Sequence, residues 1–292
     1  MYDEILLPMD GSSEAEAAVV RALDLARIGD ATVHILYVVD TSPEPPGLGS
    51  SARDELRNYS ERRGRDMTQQ VQKRADESGI AAVRTVSEGI PHRVITKYIE
   101  ANDIDLVMMG THGEAGRGEF LTGRATERVV ALSDVPVMSV RVAPDVTVPT
   151  EGYAMYDDVV VATDGSDAAE RAAEHGLGIA ERYGADVHVV YVIDTTTYGL
   201  GDAPRSIVGL LKQGGQNAIT DIETTARDRN LPVTTTVLRG VPEDEILSYA
   251  DGVDADVITL GTRGRSAGPE HLLGSTTARL VGRSDIPVFT TS

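Results

Sequence analysis

The chain has 292 residues, 41% of them apolar, enough for two hydrophobic cores of ordinary size. It contains no cysteine, which excludes disulfides, thiolate metal sites and cysteine nucleophiles. The formal charge of −19 is shared: 24 acidic and 16 basic residues in 1–150 leave −8, and 22 against 11 in 151–292 leave −11, a field that repels nucleic acid and anionic membranes.

Taken in chain order, β-branched runs alternate with longer amphipathic stretches, twice over. In the first half strands are expected near 3–9, 32–39, 81–87, 105–109 and 136–141, with helices near 13–28, 51–78, 91–101 and 123–132. In the second half strands are expected near 157–163, 186–193, 232–238, 256–260 and 286–290, with helices near 167–183, 204–229, 242–251 and 274–283. The strands read as mostly apolar throughout, as in a parallel sheet covered on both faces. Strict alternation of this kind gives an α/β fold with a doubly wound sheet in each half.

The two halves are one pattern written twice. Asp10-Gly11-Ser12 and Asp164-Gly165-Ser166 end the first strands at an offset of 154, which persists at His34–Asp40 against His188–Asp194. By Gly110 and Gly261 the offset is 151, so the second copy has lost about three residues net. Both halves close alike, with Ser133-Asp134-Val135-Pro136-Val137 and Ser284-Asp285-Ile286-Pro287-Val288. A period of this length means two tandem domains, 1–143 and 156–292, joined by a linker at 144–155 that holds Pro144 and Pro149. Thr41–Ser50 and Thr195–Pro204 have loop composition and follow the second strands, where they could act as lids.

A glycine phrase also occurs twice. Gly110, Gly113 and Gly123 share the spacing G-x2-G-x9-G with Gly261, Gly264 and Gly274, and each set follows an apolar strand and precedes a helix. A glycine turn from a buried strand into a helix presents backbone N–H groups to phosphate. In a parallel sheet, ligands gather at the carboxyl ends of strands where the order reverses. Asp10 and Asp164 meet those loops only if the first and fourth strands are neighbours, which an order of 3-2-1-4-5 provides.

In the second loop Ser275 and Thr277 add hydroxyl donors at a helix N-terminus; alternatively Ser275 is the N-cap. In the first loop Arg124 stands in the place of the serine, where it could pair with phosphate, fill the pocket or lie solvated. Asp10 and Asp164 are candidate N-caps or acceptors for a base or ribose. His112 has no histidine counterpart, since Arg263 takes its place, so a catalytic histidine is not expected. His34 and His188 match each other without a second histidine at ligand spacing and read as strand residues. No Walker sequence and no chain of nucleophile, base and orienting acid is visible.

These features together resemble the universal stress protein family: the G-x2-G-x9-G-[ST] loop, the strand ending in Asp-Gly-Ser and the terminal Pro-Val strand, present in both halves. The resemblance implies two flavodoxin-like domains, each a five-stranded parallel sheet of order 3-2-1-4-5, and a family in which some members bind ATP. Carried over by motif, Asp164 would contact the nucleoside and the Val192 backbone the adenine edge. Gly261, Gly264, Gly274, Ser275, Thr276 and Thr277 would hold ribose and phosphates. The first-half counterparts are Asp10, Val38, Gly110, Gly113, Gly123 and Thr126, with Pro8 completing a Pro-x-Asp pattern that Ala162 breaks in the second half. Arg124 sets the first half apart.

The expectation is thus a cytoplasmic stress-response protein that binds ATP or a related adenine nucleotide as a switch or sensor, with the second half the better site. Mg2+ or Mn2+ would ride on the phosphates. The alternatives are a slow ATPase or phosphotransferase and a nucleotide-free interaction scaffold. The resemblance also implies intramolecular pairing of the two last strands, with a homo-oligomer open. No apolar run is long enough for a bilayer and the chain opens directly on a strand, which points away from membrane and secretion. Only Lys73, Lys97 and Lys212 are lysines, against 24 arginines. Such an acidic, lysine-poor surface resembles proteins of high-salt environments; the alternative is an ordinary acidic cytosolic protein.

Overall fold

The order of strands in each half is what places the site. A computed structural model describes residues 2–42, 49–111, 123–141, 155–196, 205–264 and 272–292, with the backbone alone at 205–208. The Ala143–Gly152 linker segment, most of both expected lids, and His112 and Gly113 lie outside the described residues. The chain divides into two compact units, 1–150 and 151–292.

The first unit runs β1 (Glu4–Met9), α1 (Ser13–Gly29), β2 (Thr32–Asp40), α2 (Ser50–Glu77), β3 (Ala82–Gly89), α3 (Pro91–Ala101), β4 (Leu106–Gly110), α4 (Arg124–Leu132) and β5 (Val137–Val140). The second runs β6 (Asp158–Ala162), α5 (Asp167–Tyr183), β7 (Asp186–Asp194), α6 (Arg205–Asp228), β8 (Val233–Gly240), α7 (Pro242–Gly252), β9 (Val257–Gly261), α8 (Ser275–Arg283) and β10 (Val288–Thr291). The strand orders are β3-β2-β1-β4-β5 and β8-β7-β6-β9-β10. The ladders are parallel, with Ile5 opposite Leu106 and Val159 opposite Val257. So β1 adjoins β4 and β6 adjoins β9, and the strand order reverses at those two places.

The central strands are buried along their length because helices cover both faces: Ile5, Leu6, Leu7, Val159, Val160 and Val161 are fully inaccessible. The edge strands differ from the expectation of uniformly covered strands. β3 and β8 are half-exposed, with Val83 at 44%, since each has a neighbour on one side only. Their sequences carry this in Arg84, Glu88 and the Thr234-Thr235-Thr236 run.

Local chemistry sets the ends of the helices. Ser12 and Ser166 are the N-caps of α1 and α5, accepting from Ala15 N and Ala169 N at 3.1 and 3.3 Å. Asp10 and Asp164 are therefore not the caps. Each instead accepts at Oδ1 from the serine N–H two residues on, at 3.0 Å, closing the turn that leaves the strand.

At the opposite edge of each sheet a histidine is clamped. His34 Nε2 stands 2.6 Å from the Glu4 carboxylate and Nδ1 3.0 Å from the Tyr98 hydroxyl. His188 meets Asp158 at 3.0 Å and Tyr249 at 3.2 Å in the same way. The carboxylate can only accept, so Nε2 donates to it, and Nδ1 meets the tyrosine hydroxyl. Beside each clamp, Asp105 and Asp256 accept the N–H groups that open β1 and β6, at 2.7 Å from Asp3 and 2.6 Å from Asp157. Burial pushes both carboxyls above the usual aspartate value, against the pull of those hydrogen bonds.

Candidate functional site

In the second unit the carboxyl edge opens as a cavity of about 550 Å3 between the ends of β6, β7 and β9 and the start of α8. Its lining holds Asp164, Val192, Gly261, Gly264, Gly274, Ser275, Thr276 and Thr277, the eight second-half residues expected from sequence. Three segments distant in sequence supply them, because β6 lies between β7 and β9.

Each glycine is a glycine for its own reason. A methyl at Gly261 would fall 2.9 Å from the Ala168 carbonyl carbon and the Ala169 nitrogen, so the end of β9 lies directly against the first turn of α5. Gly110 stands likewise against Glu14 and Ala15. A methyl at Gly264 would fall 2.5 Å from Asp164 Oδ2, so this loop position lies directly against the aspartate. Gly274 is the N-cap of α8, and its own N–H bonds to Thr262 O at 2.8 Å.

That arrangement reassigns two side chains. Ser275 is not the N-cap but the first residue of α8, exposed on the cavity wall. Thr277 is buried, and its hydroxyl donates to Gly261 O at 2.8 Å, so its proton ties helix to strand instead of standing free for a phosphate. Thr126 does the same to Gly110 O at 2.7 Å. Beside Ser275 and Arg263, the cavity keeps the N–H groups at the start of α8, which make no side-chain cap hydrogen bond at Gly274 and have no backbone partner among the described residues. The helix dipole adds partial positive charge there.

Sequence reading missed Asp194, Arg263, Leu211, Pro242 and Ile246, which also line the cavity. Asp194 ends β7, so its place at a carboxyl end was a usable signal. Its Oδ1 already accepts from Thr196 N and Oγ1, both at 2.7 Å. Arg263 supplies a cation in the glycine loop itself. Leu211 comes from α6, and no periodicity says which helix residue overhangs a sheet edge.

In the first unit Pro8 lies buried in β1 opposite Leu36, Asp10 follows that strand, and Val38 lies on β2. Gly110 ends β4, Gly123 caps α4, and Gly123 N bonds Thr111 O at 2.7 Å, as Gly274 does to Thr262. Arg124 is exposed at the first position of α4 and makes no ion pair among the described residues.

The universal stress protein family model matches residues 1–141 and again 155–291. The chain belongs to the universal stress protein family. A universal stress protein of Methanocaldococcus jannaschii is 35% identical over 141 residues, which cover 47% of this chain and 83% of that protein. A universal stress protein of Mycolicibacterium smegmatis is similar over both halves, 25% identical across 98% of this chain and 95% of its own. A solved universal stress protein from Archaeoglobus fulgidus shares the fold, with a TM-score of 0.72 at 23% identity, covering 99% of this chain and 98% of that one. Two universal stress protein folds in tandem are thus what the repeated glycine phrase and the doubled strand order amount to.

Proposed function

We propose that the second unit binds an adenine nucleotide, ATP or a close relative, and that the protein acts in a stress response as a nucleotide-dependent switch or sensor. The observation that carries this reading is the convergence, on one cavity, of a carboxylate, a strand edge and a helix N-terminus without a side-chain cap hydrogen bond. The open N–H groups and Arg263 suit phosphates. Asp164 and Asp194 suit the hydroxyls of a ribose, which donate to carboxylates. The apolar walls from Val192, Leu211 and Ile246 suit a base, whose edge the Val192 backbone would meet. Among the described residues no group of three or more histidines, aspartates and glutamates could hold a metal ion, and in this reading a divalent cation arrives on the phosphates.

The first unit repeats Asp10, Val38, Gly110, Gly123 and Thr126, and we read it as the weaker site. Mass spectrometry of whatever is released when purified protein is denatured tests the first claim. An adenine nucleotide is expected, and calorimetry with ATP and Mg2+ should then show one strong site per chain. Protein that carries no nucleotide and gives no heat with ATP would overturn the reading and leave an interaction scaffold.

A further inference from the structure

The two units differ at the helix that overhangs the site. Gly64 in α2 and Gly215 in α6 occupy matched positions, since a methyl at either would press into the ring of the matched tyrosine, Tyr37 or Tyr191, at 2.4 or 2.5 Å. The buried pairs Val71 with Ile222 and Ala75 with Ala226 keep the same register. In that register Arg63 corresponds to Gly214 and Met67 to Ala218.

In the first unit those two large side chains bear on the site turn. A methyl at Gly11 would lie 2.6 Å from Arg63 Nη2 and 2.8 Å from Met67 Cε. Gly11 sits inside Asp10-Gly11-Ser12, whose twins Asp164 and Ser166 line the second unit's cavity. At Gly214 no atom of the described residues lies within 4 Å of an added methyl.

We propose that residues 63 and 67 of α2, and their counterparts 214 and 218 of α6, decide which unit accepts a ligand: Arg63 and Met67 close the first site over Gly11, and Gly214 and Ala218 leave the second open. This rests on the nucleotide reading above only for the identity of the ligand. The guanidinium gives the closure a chemical as well as a steric character. It brings a fixed cation to the turn, where the second unit leaves room for a polar ligand group. Arg124, at the position expected to distinguish the halves, is exposed at the start of α4, so the closing arginine comes from a different element.

A reciprocal exchange in the full chain tests this. Arg63→Ala with Met67→Ala should create a second ATP–Mg2+ site by calorimetry, or raise first-unit affinity at least about tenfold. Gly214→Arg with Ala218→Met should weaken the strong site at least about tenfold, and it should fold normally, because replacing a helix-interior glycine favours the helix by roughly 1 kcal/mol. An opened first unit that gains no affinity, together with a filled second unit that loses none, would overturn the proposal.

A readout without nucleotide separates its failure from that of the binding reading. The chain has no cysteine, so Asp10→Cys and Asp164→Cys each carry a single thiol to label with a small maleimide. Labelling should be at least about tenfold faster at 164 than at 10, exposure being one control on thiol reactivity. Arg63→Ala with Met67→Ala should remove the difference. Equal rates at the two positions in the parent chain would sink the closure even if ATP binds. The expected rates would support it even if ATP does not bind.

Discussion

A methyl group on Gly261 would meet main-chain atoms of α5 at 2.9 Å, and main chain at a helix start cannot step aside. On Gly264 it would meet, among the described residues, only the Asp164 carboxylate, at 2.5 Å, a side chain that can rotate away. The two glycines of one loop therefore make opposite predictions. Gly261→Ala should overpack the joint between β9 and α5 and cost about 1–3 kcal/mol of stability, read from urea unfolding. Gly264→Ala should leave the unfolding curve unchanged and lower ATP affinity at least about tenfold by displacing Asp164. If Gly264→Ala binds as the parent does, Asp164 has no part in the site.

A second residue carries a pH signature. His175 of α5 packs its ring against Phe289 of β10, with centroids 5.2 Å apart, and burial holds its pKa below the ordinary histidine value of 6.5, partly opposed by Glu174. The unfolded chain takes up this proton at higher pH than the folded one. Stability from this group is therefore present above pH 6.5 and is lost as pH falls from there toward the depressed folded value. His175→Phe should flatten the stability profile between about pH 5 and 6.5, above the range where carboxylates dominate. Parallel profiles for variant and parent in denaturant melts would refute this.

At the scale of elements, β7 is held to α7 and β6 by the clamp on His188. Tyr249→Phe keeps the ring and removes the hydroxyl at 3.2 Å from Nδ1, leaving a largely buried ring nitrogen without that partner. The expected cost is about 1 kcal/mol, and Tyr98→Phe should cost the first unit the same, because the histidine clamps are copies. Unchanged melting in both variants would show the clamps to be incidental.

The element order was legible because apolar runs and amphipathic stretches alternate without exception, and the strand order followed from requiring Asp10 to meet the glycine loop. The missed boundaries have local causes. β10 was expected from 286 but starts at Val288, because Ser284 Oγ turns the chain by accepting Ile286 N at 3.1 Å and donating to Ile286 O at 2.6 Å, and Pro287 has no N–H for the ladder. The site's loop glycines were legible in their spacing. Arg63 and Met67 were not, since α2 shows its pattern over 28 residues but not which turn of it stands over Gly11.

For the whole molecule, charge sets the last expectation. The chain carries −19, divided between units at −8 and −11, and several arginines are already engaged, among them Arg27 with Asp24, Arg74 with Glu16 and Arg283 with Asp244. Salt acts on these two features in opposite directions. Added KCl weakens exposed ion pairs, but such pairs contribute only about 0–1 kcal/mol each. It also screens the surplus of negative charge, which every acidic residue in a unit feels. The Debye length falls from about 10 Å at 0.1 M to about 3 Å at 1 M, shorter than the spacing between most surface charges. With 46 acidic residues against 27 basic, relief of repulsion should outweigh the lost pairs. Thermal stability is therefore expected to rise steeply between roughly 0.1 and 1 M KCl, and ATP affinity at the second site should rise with it, since the acidic field of that unit opposes an anionic ligand. A melting temperature that stays flat or falls across that range would show that the ion pairs prevail and would remove the high-salt reading.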